Sequence, residues 1–317
     1  MLQGYYDERE KRKKDGLPSV PLSAQEVQEI ANAFENSSGN AELLNLIENE
    51  VSPGVDEAAY VKAAFLKDLA LEKTKTDLIT PQKSIEILGT MLGGYSVEAL
   101  VEILKKDKFA AEAAEALKNT ILVYDSFNEI FELSKNNSHA KSIIDSWANA
   151  EWFENKPTLD EEIKLTIYKV SGETNTDDFS PAKEAWSRPD IPLHAQAFLK
   201  FSENIDNPLD ELKKLKSDGS QLVFVGDVVG TGSSRKSAVN SMLWHMGSDI
   251  PFVPAKKTGG FCFGGKIAPI FYNTLQDSGA FPLELNVDNL EHGKKIILRP
   301  YSGEVLDDAT GDVISTF

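Results

Sequence analysis

Leu222-Val223-Phe224-Val225-Gly226-Asp227-Val228-Val229-Gly230-Thr231-Gly232-Ser233-Ser234-Arg235-Lys236-Ser237-Ala238 is the stretch on which the fold turns. A β-branched, apolar run leads into a glycine turn, and the turn leads into a helical pattern that continues to Met246. Strand, tight turn and helix in that order are the repeating unit of an α/β sheet. Gly230 and Gly232 permit backbone geometry that other residues avoid. Amides exposed at a helix amino end, the hydroxyls of Ser233 and Ser234 and the guanidinium of Arg235 together suit a carboxylate or a phosphate. Two better-known glycine loops fail here on a single residue. A dinucleotide fingerprint needs glycine three positions beyond Gly232, and a Walker loop needs glycine directly before its lysine; Arg235 stands in both places. On spacing alone, an ordinary capped helix with Arg235 as a surface cation stays open.

Around this stretch the same alternation continues. Residues 165–170, 222–227, 281–287, 295–299 and 313–317 read as strands, and 234–246 and 267–277 as helices. The glycines of 259–265 read as close backbone turns, and Cys262, set between Phe261 and Phe263, reads as a packed thiol and not a nucleophile. Thr174 to Asp178 has ordinary polar-turn composition, and Arg188 beside Pro189 can simply close a surface loop.

Upstream the rhythm is different. Residues 24–34, 41–47, 56–71, 84–92, 97–104, 110–117, 123–133 and 140–147 carry apolar residues at helical spacing, with breaks at Pro53-Gly54, Pro81, Gly93-Gly94 and Asn136-Asn137. Asp56 and Ser96 have the look of helix caps. Stacked helix pairs forming a HEAT-like α-solenoid are the simplest arrangement, although no repeat period can be fixed. Such a domain serves as scaffold or subunit contact, since no polar constellation converges in it. The pattern changes at Asn155-Lys156-Pro157, which divides the chain into a helical domain, 1–157, and an α/β domain, 158–317.

The formal charge of -17 repels phosphate backbones and anionic membrane surfaces, so it argues against nucleic acid and membrane partners and makes cations in a pocket conspicuous. No stretch is apolar for the roughly 18 residues that a membrane-spanning helix needs, and the charge-dense first 16 residues are no signal peptide, so a cytoplasmic protein is expected. Cys262 is the only cysteine, too few for a disulfide or an iron–sulfur cluster. His139, His194, His245 and His292 show no metal-ligand spacing, so no metal site is expected in this chain. Asp307-Asp308 and Glu50 with Asp56 read as solvated loop charges.

Gly232-Ser233-Ser234-Arg235 after an apolar strand resembles the hallmark of the swivelling domain of the aconitase superfamily. Thr174-Asn175-Thr176-Asp177-Asp178-Phe179-Ser180-Pro181 with Trp186-Ser187-Arg188-Pro189-Asp190 is similar to that domain's second substrate-contacting segment. Gly264 to Ile270, leading to Ser278 to Leu283, resembles its later helix-to-strand passage. Pro53-Gly54-Val55-Asp56-Glu57-Ala58-Ala59-Tyr60-Val61-Lys62-Ala63 resembles the helical domain of the B-type subfamily, also described as 2-methylisocitrate dehydratase, in which the helical domain precedes the swivel. The likeness covers nearly the whole chain.

The resemblance implies a lyase of the tricarboxylic acid cycle that interconverts citrate and isocitrate through cis-aconitate, with 2-methylisocitrate dehydration as a further activity and a [4Fe-4S] cluster as Lewis acid. It implies Ser233 as the group that takes the carbon-bound proton, Ser233, Ser234, Arg235 and Arg188 as substrate-binding residues, and Asp177 and Ser180 as their hydrogen-bonding support. Asp178 departs from the family, where histidine is frequent, and takes no role. It further implies a swivel lacking its carboxyl end, cluster-bearing domains as partners, oligomer contacts through the helical domain, and little activity from this chain by itself. Two alternatives have different chemistry: a non-catalytic protein- or RNA-interaction module, against which the acidic balance speaks for RNA, and the small subunit of a related hydro-lyase, against which the attached helical domain speaks.

Overall fold

The computed structural model describes residues 2–317, which form two compact units: residues 2–157 with 251–254, and residues 158–250 with 255–317. Among the described residues no helix is long and apolar enough to cross a membrane.

The first unit is helical. Helix Ala24–Glu35 starts at Ser23, whose Oγ accepts from the Glu26 amide at 3.3 Å while the Glu26 carboxylate accepts from the Ser23 amide at 2.8 Å. This reciprocal cap satisfies two orphan donors and sets the phase that buries Val27, Ile30, Ala31 and Phe34 on one side. Asp56 caps Glu57–Ala70 by accepting from the Ala59 amide at 2.7 Å, and Thr80 caps Pro81–Thr90, whose proline needs no hydrogen-bond partner in the first turn. Ala24–Glu35 packs on Glu57–Ala70, which packs on Pro81–Thr90 and Tyr95–Leu104. Both of these pack on Ala110–Asn119, and that helix packs on Ser138–Ala148. The shared core contains Ile47, Leu66, Leu88, Leu100, Leu104, Leu117, Ile130 and Ile143.

One expectation for this unit fails. Ser96 lies inside Tyr95–Leu104, with its hydroxyl donating back to the Gly93 carbonyl at 3.1 Å, and Gly94 at the cap position supplies no side chain. The charged amino terminus forms the helix Gln3–Lys14, which has no apolar stripe to betray it; straight-chain residues favour it, and Lys11, Arg12, Lys13 and Lys14 complement the carboxyl end of its dipole.

The second unit is α/β. The strands of the described residues are β1 (Ile163–Asn175), β2 (Leu222–Thr231), β3 (Ser248–Ile250), β4 (Val253–Thr258), β5 (Phe261–Ile267), β6 (Phe281–Glu284), β7 (Lys295–Arg299), β8 (Glu304–Asp307) and β9 (Val313–Thr316). Seven form one sheet in the order β6-β5-β2-β1-β7-β8-β9, and β3 pairs with β4. β6, β5, β2 and β1 run parallel; β7, β8 and β9 continue antiparallel. Alternation along the strands fills both faces. Tyr168, Val170, Phe224 and Cys262 join one core with Met242, Phe271 and Leu275 of the covering helices. Leu165, Ile167, Val223, Val225, Phe261 and Phe263 join the other with Leu285, Val287 and Leu290.

The run 259–265, expected as turns, is instead mostly β5 in the body of the sheet. Its glycines look like punctuation in the sequence but answer to crowding in space: Gly264 pairs with Gly226, and a Cβ on Gly264 would lie 2.6 Å from Ile267 and 2.9 Å from the Lys266 carbonyl. Helix 267–277 is correspondingly shorter, Pro269–Asp277, because Ile267 ends β5. Asp307 and Asp308 are not free loop charges either: Asp307 pairs with Lys294 at 2.7 Å and Asp308 with Lys164 at 2.9 Å. Glu50 accepts from the Ser19 hydroxyl at 2.9 Å.

Candidate anion-binding site

β1 and β2 are parallel neighbours, so the turns that follow them emerge side by side at the carboxyl edge of the sheet, where ligands of open α/β sheets bind. The register carries to the last residues, with Asn175 opposite Thr231, and the Thr231 hydroxyl donates to Glu173 at 2.6 Å.

Beyond β2 the chain turns through Gly230 and Gly232, at φ +81° and +102°. A Cβ on Gly230 would overlap the Phe271 ring, and one on Gly232 would sit 2.6 Å from the Thr176 hydroxyl. Both positions therefore need glycine for conformation and for space. Ser234 follows as the residue before helix Arg235–Met246, but its hydroxyl makes no capping bond. Among the described residues the amides of Lys236 and Ser237 have no acceptor, and Arg235 and Lys236 have no ion pair, so the positive end of the helix faces outward with its cations uncommitted. The Ser233 side chain is exposed and has no hydrogen bond among the described residues.

Beyond β1 the chain is pinned by Asn175, whose Oδ1 accepts from the Asp177 and Asp178 amides at 2.7 and 3.1 Å, while Asp178 accepts from the Asn175 amide at 2.8 Å. Asp178 is thus a backbone clasp, and its burial pushes its carboxyl above the usual range against the opposing hydrogen bond from Asn175. Phe179 is buried against Phe271 and Phe224, with ring centroids at 5.7 and 5.0 Å. Buried Thr176 accepts from the Ser234 amide at 3.1 Å and so ties the two turns together.

Arg188 follows the short turn Ala182–Ser187. Its Nη2 donates to the Ser180 carbonyl at 3.2 Å and lies 3.5 Å from the Ser234 hydroxyl; its Nε is buried without a partner. Arg188 and Ser234, 46 residues apart, are therefore brought together, and Ser233 and Arg235 flank the junction by sequence. The Ser180 hydroxyl points inward, 2.8 Å from His194 Nε2. Asp177 is exposed, and its carboxylate has no hydrogen bond among the described residues. Sequence reasoning missed Asn175, Thr176 and His194 as parts of this architecture. An asparagine closing a strand three residues before an aspartate is a readable cap signal; the other two are uncharged groups acting at a distance along the chain and carry none.

Ser233 is exposed while Arg188, Ser234 and Arg235 are half-buried, and cavities of about 490 Å³, beside Phe198 and Pro208, and about 460 Å³, beside Tyr272 and Phe317, are both lined by other residues. An iron–sulfur cluster finds no fit here. Cys262 is fully buried in β5, burial raises its thiol well above the ordinary value, and no trio of histidine, cysteine or acidic side chains among the described residues can hold a metal ion.

Two family profiles match the chain, the aconitate B N-terminal domain over residues 4–153 and the aconitate hydratase 2 N-terminus over residues 165–317. Aconitate hydratase B of Escherichia coli is 49% identical over 328 residues, covering 100% of this chain and 38% of the relative. The aconitate hydratase B of Synechocystis is 50% identical over 321 residues, covering 100% of this chain and 37% of the relative. The chain thus spans well under half the length of these curated relatives, and it belongs to the aconitate hydratase B family, whose amino-terminal portion it matches.

Proposed function

We propose that the Gly232–Arg235 turn and Arg188 are the carboxylate-gripping and base-supplying half of an aconitate hydratase site that interconverts citrate and isocitrate through cis-aconitate, with 2-methylisocitrate as a further substrate. The observation that carries the reading is the approach of Arg188 Nη2 to the Ser234 hydroxyl at 3.5 Å, which joins two segments far apart in sequence beside an uncommitted helix terminus. Arg188 and Arg235 offer planar forks to carboxylates, which lysine cannot replace. Ser233 takes the proton from the carbon beside a carboxylate. A serine oxygen is basic enough only as the alkoxide, and the adjacent Arg235 guanidinium and the amides of Lys236 and Ser237 stabilise that negative charge. Ser180 supports Arg188 through its carbonyl, and Asp177 remains exposed to contact whatever closes over the site. The cluster of the family belongs, in this reading, to the part of the longer relatives that this chain does not span, and no step is assigned to it here.

The chain alone is expected to show little hydratase activity. Mixed with a separately prepared cluster-bearing remainder of a relative, it should restore cis-aconitate turnover followed by absorbance, and Ser233→Ala should lower that turnover by about 10²–10⁴-fold. Turnover indifferent to Ser233→Ala removes Ser233 from the base role.

A further inference from the structure

We propose that His194 is a positioning residue for Arg188: its ring bridges Ser180 and Ser187 and fixes both ends of the arginine that reaches Ser234. The inference rests on the reading of Arg188 as a carboxylate clamp. The ring is 2% exposed. Its Nε2 lies 2.8 Å from the Ser180 hydroxyl, and its Nδ1 lies 2.9 Å from the Ser187 hydroxyl and 3.1 Å from the Glu184 carbonyl. The Ser187 hydroxyl itself donates to the Glu184 carbonyl at 2.7 Å. A carbonyl can only accept, so Nδ1 carries the proton and Nε2 accepts from the Ser180 hydroxyl.

Ser187 is the residue from which Arg188 departs, and the Ser180 carbonyl receives the tip of the same side chain at 3.2 Å. One ring therefore holds the root and the far support of a flexible arginine. Rigid support of this kind lowers the entropy lost when a ligand is gripped. The helix bearing His194, Ile191–Ala195, is held in turn by Asp190, which accepts from the Leu193 amide at 3.2 Å. Burial, then the charge of Arg188, lower the readiness of His194 to protonate against the opposing pull of the Glu184 carbonyl, so the support adds no second cation beside the guanidinium.

The test is nuclear magnetic resonance of the full chain, reading the Arg188 Nε–H signal, assigned by its loss in Arg188→Lys. The wild type should give a resolved, slowly exchanging signal. His194→Leu should shift it and speed its exchange, whereas His194→Gln, whose amide oxygen can accept from Ser180, should restore it. Ser180→Ala, a milder change than His194→Leu, should also perturb the signal and guards against a leucine variant that fails to fold. Titration with tricarballylate, read at the Ser234 amide, should show affinity about 10-fold weaker in His194→Leu and recovered in His194→Gln. A wild-type chain blind to tricarballylate defeats the carboxylate reading, while the Arg188 signal still decides the role of His194. An Arg188 signal unmoved by both His194→Leu and Ser180→Ala overturns the inference.

Discussion

Thr176 is uncharged and wholly buried, yet its hydroxyl is the acceptor that the Ser234 amide meets at 3.1 Å. Valine has nearly the same shape without the acceptor. Thr176→Val should therefore leave that amide unpaired and destabilise the second unit by about 1–3 kcal/mol, read from the urea midpoint, with Thr176→Ser close to wild type. Equal midpoints for the two variants would deny the bond any energetic role. Ser233, Ser234 and Arg235 could be singled out in the sequence because hydroxyls and a charge follow a glycine turn at a helix start, and Arg188 only through the family resemblance. Thr176 and His194 could not, because what they do depends on which turn the parallel strands place beside them.

At the scale of elements, the strand–turn–helix passage from β2 was the most legible part of the chain, since apolar run, glycines and helix pattern all agree there. β5 was the least legible, since Gly264 and Gly265 imitate a turn while serving a crowded strand. Gly230 shows how such crowding can be tested. Alanine there meets both a left-handed backbone, φ +81°, and the Phe271 ring. Gly219 has φ +82° with open space around it, so alanine there meets the backbone strain alone. Gly230→Ala should cost about 2–5 kcal/mol and Gly219→Ala about 1 kcal/mol, both read as shifts in urea midpoint. Similar shifts at the two sites would show that Phe271 yields to the new methyl group.

For the molecule as a whole, two histidines tie stability to acidity. His245 Nε2 donates to the Ala195 carbonyl at 2.7 Å, and burial first, then the charges of Lys216 and Lys257, push its pKa down to about 4 despite that carbonyl. His194 is lowered in the same direction. A histidine whose folded value lies below its unfolded value binds its proton more readily in the unfolded chain. Its stabilising contribution is therefore complete above about pH 6.5 and is lost as the pH falls through about 4. The residue is partly exposed, and water offsets some of the penalty, so the loss expected from it is about 1–2 kcal/mol. In denaturation series from pH 7 to pH 4, His245→Phe should flatten the decline relative to wild type; parallel declines would discharge His245 as a cause.

The burial of Cys262 reaches beyond packing. With its sulfur buried in the core that β5 shares with Met242, Phe271 and Leu275, and burial keeping its thiol protonated, the folded unit offers oxidants and electrophiles nothing to attack at this position. Modification of the chain's single sulfhydryl is thereby reserved for copies whose sheet has come apart, and an alkylated copy carries a durable record of having been open.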